Sequence, residues 1–174
     1  KGNLSEFMHY VNGEFAKAYN RNHNRKGHFW GERFHSTIVE ADSQLFNTMA
    51  YIEMNAVKAK IVKSPSDWKW SSYNAHAFGN YDPILDEHVQ YAELGNDKAT
   101  RQMHHRKMIQ NYMEEYGLVA SDPISKGIIT GSESFVNSLL DKFKCVHKFY
   151  EKRKIFDHGN NVFCLIRLPK NTSK

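Results

Sequence analysis

Apolar residues recur along this chain with a helical period more often than an alternating one. Between positions 4 and 20 they fall at Phe7, Val11, Phe15 and Ala18, a spacing that lines one side of a helix. Asn3 and Glu6, three residues apart at its start, predict a reciprocal N-terminal cap. The stretch N-R-N-H-N-R-K-G-H at 20–28 holds no apolar position and carries Gly27 as a breaker, so it predicts a loop. In residues 29–40 the period changes. Phe34 and Ile38, with the β-branched run Thr37, Ile38 and Val39, predict a strand. Helical spacing returns over 43–60, with Asp42 as its cap, and Ser64, Pro65 and Ser66 turn the chain.

Beyond that turn, residues 66–79 are rich in aromatics and predict a short helix or loop. A short helix near 86–93 and a long one over 97–116 follow, the latter with Met103, Ile109, Tyr112, Met113 and Tyr116 on its buried side. Asp122-Pro123 breaks the chain. Ser132 opens another helix near 132–144. The tail from Lys148 is basic, and Val162 to Leu168 predicts a short strand. Helices and strands in this order imply an α+β fold.

Charge adds a partner to this picture. Lys and Arg number 24 against 19 acidic residues, and a net charge of +5 favours a polyanion. The densest cations are Lys17, Arg21, Arg25, Lys26 and Arg33, among His23, His28 and His35, with only Glu32 opposing them between 17 and 35. Such a cluster can track phosphates, or it is a solvated loop. A second basic run comprises Lys142, Lys144, Lys148, Lys152, Arg153 and Lys154. Of the tryptophans, Trp68 lies between Asp67 and Lys69 and is the candidate for stacking on an unpaired base, whereas Trp30 and Trp70 are expected in the core. Cys145 and Cys164 make no C-x-x-C motif and no disulfide scaffold, which fits a reducing cytoplasm. No apolar run has the length of a membrane span, and the first residues carry no signal-peptide pattern.

The helix at 43–60 presents the most specific chemistry. At about 100° per residue, Leu45, Met49, Ile52, Ala56 and Ala59 share the expected core stripe, and Tyr51, Asn55 and Lys58 share a flank. Tyr51 and Asn55 are i and i+4, so a phenol and a carboxamide stand side by side. A phenol can attack a phosphate and hold it covalently. Its pKa near 10 makes a divalent ion on the phosphate useful, and an amide oxygen is a hard ligand for Mg²⁺ or Mn²⁺. The same spacing equally describes a half-buried tyrosine beside a solvated asparagine.

The segment Y-I-E-M-N-A-V-K-A at 51–59 resembles the Y-I-E-L-N-P-V-R-A stretch of REP-associated single-tyrosine transposases, an HUH-type family. G-H-F-W-G-E-R-F at 27–34, W-S-S-Y-N-A-H at 70–76, D-P-I-L at 82–85 and G-S-E-S-F-V at 131–136 resemble further family segments, in order. The resemblance implies a ferredoxin-like transposase domain ending near residue 63, a helical extension over 64–145 and a basic tail over 146–174. It implies metal-dependent cleavage and strand transfer of single-stranded or hairpin DNA, in the cytoplasm on the nucleoid. Tyr51 would be the nucleophile, Asn55 a ligand of Mg²⁺ or Mn²⁺, and Lys17, Arg21, Arg25, Lys26, Arg33, Lys58 and Trp68 the DNA contacts. The family's His-hydrophobic-His ligand pair does not occur in this chain and is expected upstream of Lys1, so the segment by itself is expected to be inactive. His104 and His105 are neighbours on a helix and diverge by about 100°, which makes them poor substitutes. Ala56 and Lys58 stand where the family has Pro and Arg. The rival reading is a module that binds DNA hairpins without cutting them. The sequence leaves monomer or homodimer open.

Overall fold

A computed structural model describes residues 3–41, 43–116, 127–142, 150–157 and 160–167. The chain is α+β, with six helices and a four-stranded mixed sheet among these residues. It divides into two compact units, 1–36 and 37–174.

The first unit is one helix and the loop folded back on it. Helix α1 spans Leu4–Asn22, and the Asn3 side chain accepts from the Ser5 and Glu6 amides at its start. The loop returns along α1 through aromatic contacts. Phe29 and Trp30 lie 5.3 and 5.6 Å from Phe15, and Phe29 lies 4.7 Å from Tyr19. The Trp30 indole donates to the Asn12 carbonyl at 3.0 Å. These contacts hold residues 29–36 outside any sheet. Of the strand expected over 29–40, only Ile38–Val39 pairs, as β1. No residue of α1 is buried, and Phe7 and Phe15 remain 61% and 49% exposed.

The second unit holds two cores. Helix α2 (Ser43–Lys58) packs with α3 (Tyr73–Phe78) and α5 (Lys98–Tyr116), with α4 (Val89–Ala92) beside α5 and a 3-10 turn at Pro65–Asp67 linking α2 to α3. Ala50, Met54, Val57, Tyr73, Ala77, Ile109 and Tyr112 form this core. The stripe on α2 is rotated in part from the expected one, of which Ala56 is buried. Ala50, Glu53, Met54 and Val57 face inward, while Ile52 is 55% exposed and Ala59 is exposed. On α5 the inward stripe is His105, Ile109 and Tyr112, with Met103 and Met113 exposed; the Tyr116 side chain lies outside the described residues.

The other core lies between the sheet and α6 (Glu133–Lys142), and consists of Ile129, Val136, Leu140 and Leu165. The sheet order is β1-β2-β4-β3, with β2 at Gly127–Gly131, β3 at Tyr150–Asp157 and β4 at Asn160–Arg167. β1 runs parallel to β2, and the other pairs are antiparallel. Glu40 ties β1 to α6: its carboxylate accepts from the Ser132 amide at 2.5 Å and the Ser132 hydroxyl at 3.0 Å, and that hydroxyl accepts from the Phe135 amide. Ser132 thus opens α6 as expected. The expected cap Asp42, the break at Asp122-Pro123, Lys144, Cys145, Lys148 and Leu168 lie outside the described residues. Among the described residues no helix is long and apolar enough to cross a membrane.

Candidate functional site

Tyr51 is half-buried on α2, its ring packed against the helical core. Asn55, one turn on, is exposed. Lys58, a further turn on, is only 9% exposed, and its ammonium donates to the Tyr112 hydroxyl at 2.8 Å. That ammonium lies 5.1 Å from the centre of the Tyr51 ring and 4.8 Å from that of Tyr112, so it is shared between two aromatic faces. The expected flank therefore exists, but Lys58 holds two tyrosines in place instead of presenting a charge to a ligand.

Trp30 and Trp70 lie outside the core expected for them. Trp30 and Trp70 are 47% and 73% exposed, and Trp68 is partly buried. Trp70 carries the Lys69 ammonium 4.5 Å from its ring, so cation–π contact stands in for burial. In the first unit, Lys17, Arg21, Arg25, Lys26 and Arg33 are all exposed. Two of them have local partners. Lys17 pairs with Glu14 at 2.8 Å, which raises its pKa, and Arg25 lies 5.8 and 5.6 Å from the Tyr19 and Phe29 rings. Of the second basic run, Lys142, Lys152, Arg153 and Lys154 are exposed. Lys152 bonds Glu133 and Asn137, and Arg153 bonds Glu151.

The strongest electrostatic feature is one that hydrophobic period does not reveal. Glu53, His76 and His105 come from α2, α3 and α5, and each is less than a tenth exposed. Glu53 Oε1 accepts from the Ser72 hydroxyl at 2.6 Å and from His76 Nδ1 at 2.9 Å, and Oε2 accepts from His105 Nε2 at 2.8 Å. An ionised carboxylate only accepts, so both facing imidazole nitrogens carry hydrogen. Burial pushes the Glu53 carboxyl up. The hydrogen bonds from His105 and His76, the His105 charge and the Ser72 bond outweigh it and leave the pKa at about 2. Tyr91 closes the cluster on one side, its hydroxyl donating to the His76 carbonyl at 2.7 Å and its ring 4.6 Å from the imidazole. Among the described residues the buried His105 Nδ1 has no hydrogen-bond partner.

Among the described residues, Glu53, His76 and His105 are the one group of three or more His, Cys, Asp or Glu able to hold a metal ion. His105 joins this group because it faces Glu53, a different arrangement from the His pair expected beside Tyr51. His104 points away as expected, its Nδ1 2.6 Å from the Leu94 carbonyl. Asn55, the expected ligand of a divalent ion, offers one neutral oxygen from an exposed position on α2. The sequence did hold a signal for the buried cluster. Glu53 falls three residues after Ala50 and four before Val57, and His105 falls four before Ile109, so each polar residue occupies a core position of its helix. Compared with known proteins, the chain matches no family model, no curated protein and no solved structure.

Proposed function

We propose that this chain cleaves and rejoins single-stranded or hairpin DNA through Tyr51, as a REP-associated tyrosine transposase of ferredoxin-like HUH type. The observation that carries the reading is the setting of Tyr51. Its ring is anchored between the core and the Lys58 ammonium, and it shares a flank with exposed Asn55. A nucleophile held by packing keeps its oxygen in one place, which is what an in-line attack on phosphorus requires. The phenol loses its proton to solvent, its oxygen bonds phosphorus, and the phosphorus–O3′ bond breaks. The products are a 5′-phosphotyrosine and a 3′-hydroxyl, which takes up a proton. Attack by a 3′-hydroxyl reverses the step, so joining needs no further reactant. The exposed cations of the first unit supply attraction for the phosphate chain.

A second reading is favoured by the lack of a His-hydrophobic-His pair in this sequence: a module that binds DNA hairpins without cutting them. Incubation of the protein with end-labelled hairpin DNA and Mn²⁺ separates the two. The transposase reading expects a covalent protein–DNA adduct, stable in detergent, that disappears in Tyr51→Phe while binding persists. Hairpin binding with no adduct in the wild type establishes the module instead. Stronger binding to the matched RNA hairpin would overturn both.

A further inference from the structure

We propose that Glu53, His76 and His105 bind a transition-metal ion, zinc before others, which fastens α2, α3 and α5 together. The site is separate from the chemistry at Tyr51 and does not depend on it.

The donor set selects the metal. Two imidazoles with a carboxylate suit zinc, whereas magnesium and calcium favour oxygen ligands. One ligand atom from each residue lies within 4.8 Å of the others. His76 faces Oε1 and His105 faces Oε2, so the carboxylate sits astride the two rings and can offer both oxygens. Three residues then supply four donor atoms, the number that a closed zinc site takes.

Without metal, the nitrogen–oxygen distances are 2.8 and 2.9 Å, the lengths of hydrogen bonds. Zinc with ligands at about 2.0–2.1 Å spaces them by about 3.3 Å in a tetrahedron. Each ring need withdraw only about half an ångström as its shared hydrogen is exchanged for the cation. Both rings lose that proton from the facing nitrogen, and each proton passes to the ring's far nitrogen or to solvent.

A further observation points to a cation. The Glu53 carboxylate is sealed from water, yet its bonded partners are a hydroxyl and two imidazoles, with no lysine or arginine among them. His105 Nδ1, the ring nitrogen that does not face Glu53, has no hydrogen-bond partner among the described residues, so it is free to take up the proton that Nε2 gives up to a metal. The Ser72 hydroxyl on Oε1 and the Tyr91 hydroxyl on the His76 carbonyl are outer partners that hold ligands in orientation.

The role is structural. Glu53 is two residues from Tyr51 and leaves α2 about 200° around the helix from it. With all three ligands buried, a phosphate has no path to the ion.

The test uses untagged protein, stripped of metal and titrated with zinc chloride, then with cobalt chloride. The expected results are about one tightly held zinc per chain and a rise in Tm of about 5 °C or more. Cobalt should give the visible absorption of a tetrahedral ion. Because the site is buried, zinc should survive millimolar EDTA under native conditions and leave on unfolding. His105→Gln and His76→Gln should each lose the zinc, and His104→Ala should keep it. Wild-type protein that holds no EDTA-resistant zinc and shows no Tm change overturns the proposal, whether or not the variants fold. So does undiminished zinc in either folded Gln variant.

Discussion

A carboxylate with no exposed surface, Glu53 keeps its charge because three hydrogen bonds replace its lost water. Its pKa falls from 4.5 to about 2 on folding. A carboxyl with a depressed folded pKa contributes stability that is complete above the unfolded value. That stability is lost as pH falls through the folded one. At about 1.4 kcal/mol per unit, the contribution is roughly 3 kcal/mol in the metal-free chain. Denaturant midpoints measured from pH 7 to pH 2 should therefore fall steeply below about pH 4.5 in the wild type. Glu53→Gln should be less stable at pH 7 and flatter across that window. Equal slopes in the two proteins would mean that folding does not shift the Glu53 pKa. Hydrophobic period overlooks this residue because it counts apolar side chains alone. A charge at a core position is read as noise unless a partner of matching chemistry is sought on another helix. Tyr51 and Asn55, by contrast, are legible from spacing and resemblance, since both depend only on the turn of α2.

At the scale of elements, the end of α2 shows local chemistry setting a boundary. The Ser-Pro-Ser turn at 64–66 is the obvious stop signal, yet the helix ends at Lys58. The Lys60 amide bonds the Val57 carbonyl and the Ile61 amide bonds the Ala56 carbonyl, the paired bonds of a Schellman ending. Such an ending puts its C′ residue in the left-handed region, and Lys60 adopts φ 58°. For a residue with a Cβ that conformation costs about 1 kcal/mol or more. Lys60→Gly should thus stabilise the protein by about 0.5–1 kcal/mol, part of the relief being offset by glycine's freedom in the unfolded chain. A chemical-denaturation series checks it, and a fall in stability would place the C′ position elsewhere. Other elements are illegible for related reasons. β2 is five residues long and bounded by glycines, so its pattern is too short to show a period. β3 exposes Glu151, Lys152, Arg153 and Lys154 at a sheet edge, where charge discourages further pairing and hides the strand from a hydrophobic count. Its existence is dictated by β4, the buried partner with which it pairs along eight positions. Residues 29–36 err the other way, because their aromatics suit a strand but have α1 to pack on.

Over the whole molecule, the excess of positive charge is not spread evenly in its availability. Lys152 and Arg153 are engaged with Glu133 and Glu151, and Lys17 with Glu14. Lys58 is buried. Arg21, Arg25, Lys26 and Arg33 in the first unit remain exposed with no acidic partner in an ion pair among the described residues. If DNA follows this loop, each such cation displaces counterions from the strand, and affinity falls with salt in proportion to their number. On single strands the slope of log affinity against log salt changes by about 0.7 for each phosphate that is no longer neutralised. Replacing Arg21 and Arg25 by Gln together should reduce the slope by about 1.4 and weaken binding at low salt. Helical circular dichroism should stay unchanged, because neither side chain is buried. Arg25 also lies against Tyr19 and Phe29, so its loss alone tests packing as well as charge. Arg21 has no such ring contact among the described residues, and Arg21→Gln should account on its own for half of that change, a reduction of about 0.7. A double variant that binds less tightly with the slope intact would move the phosphate path to another face. A slope that falls with the number of cations removed would place it on this loop.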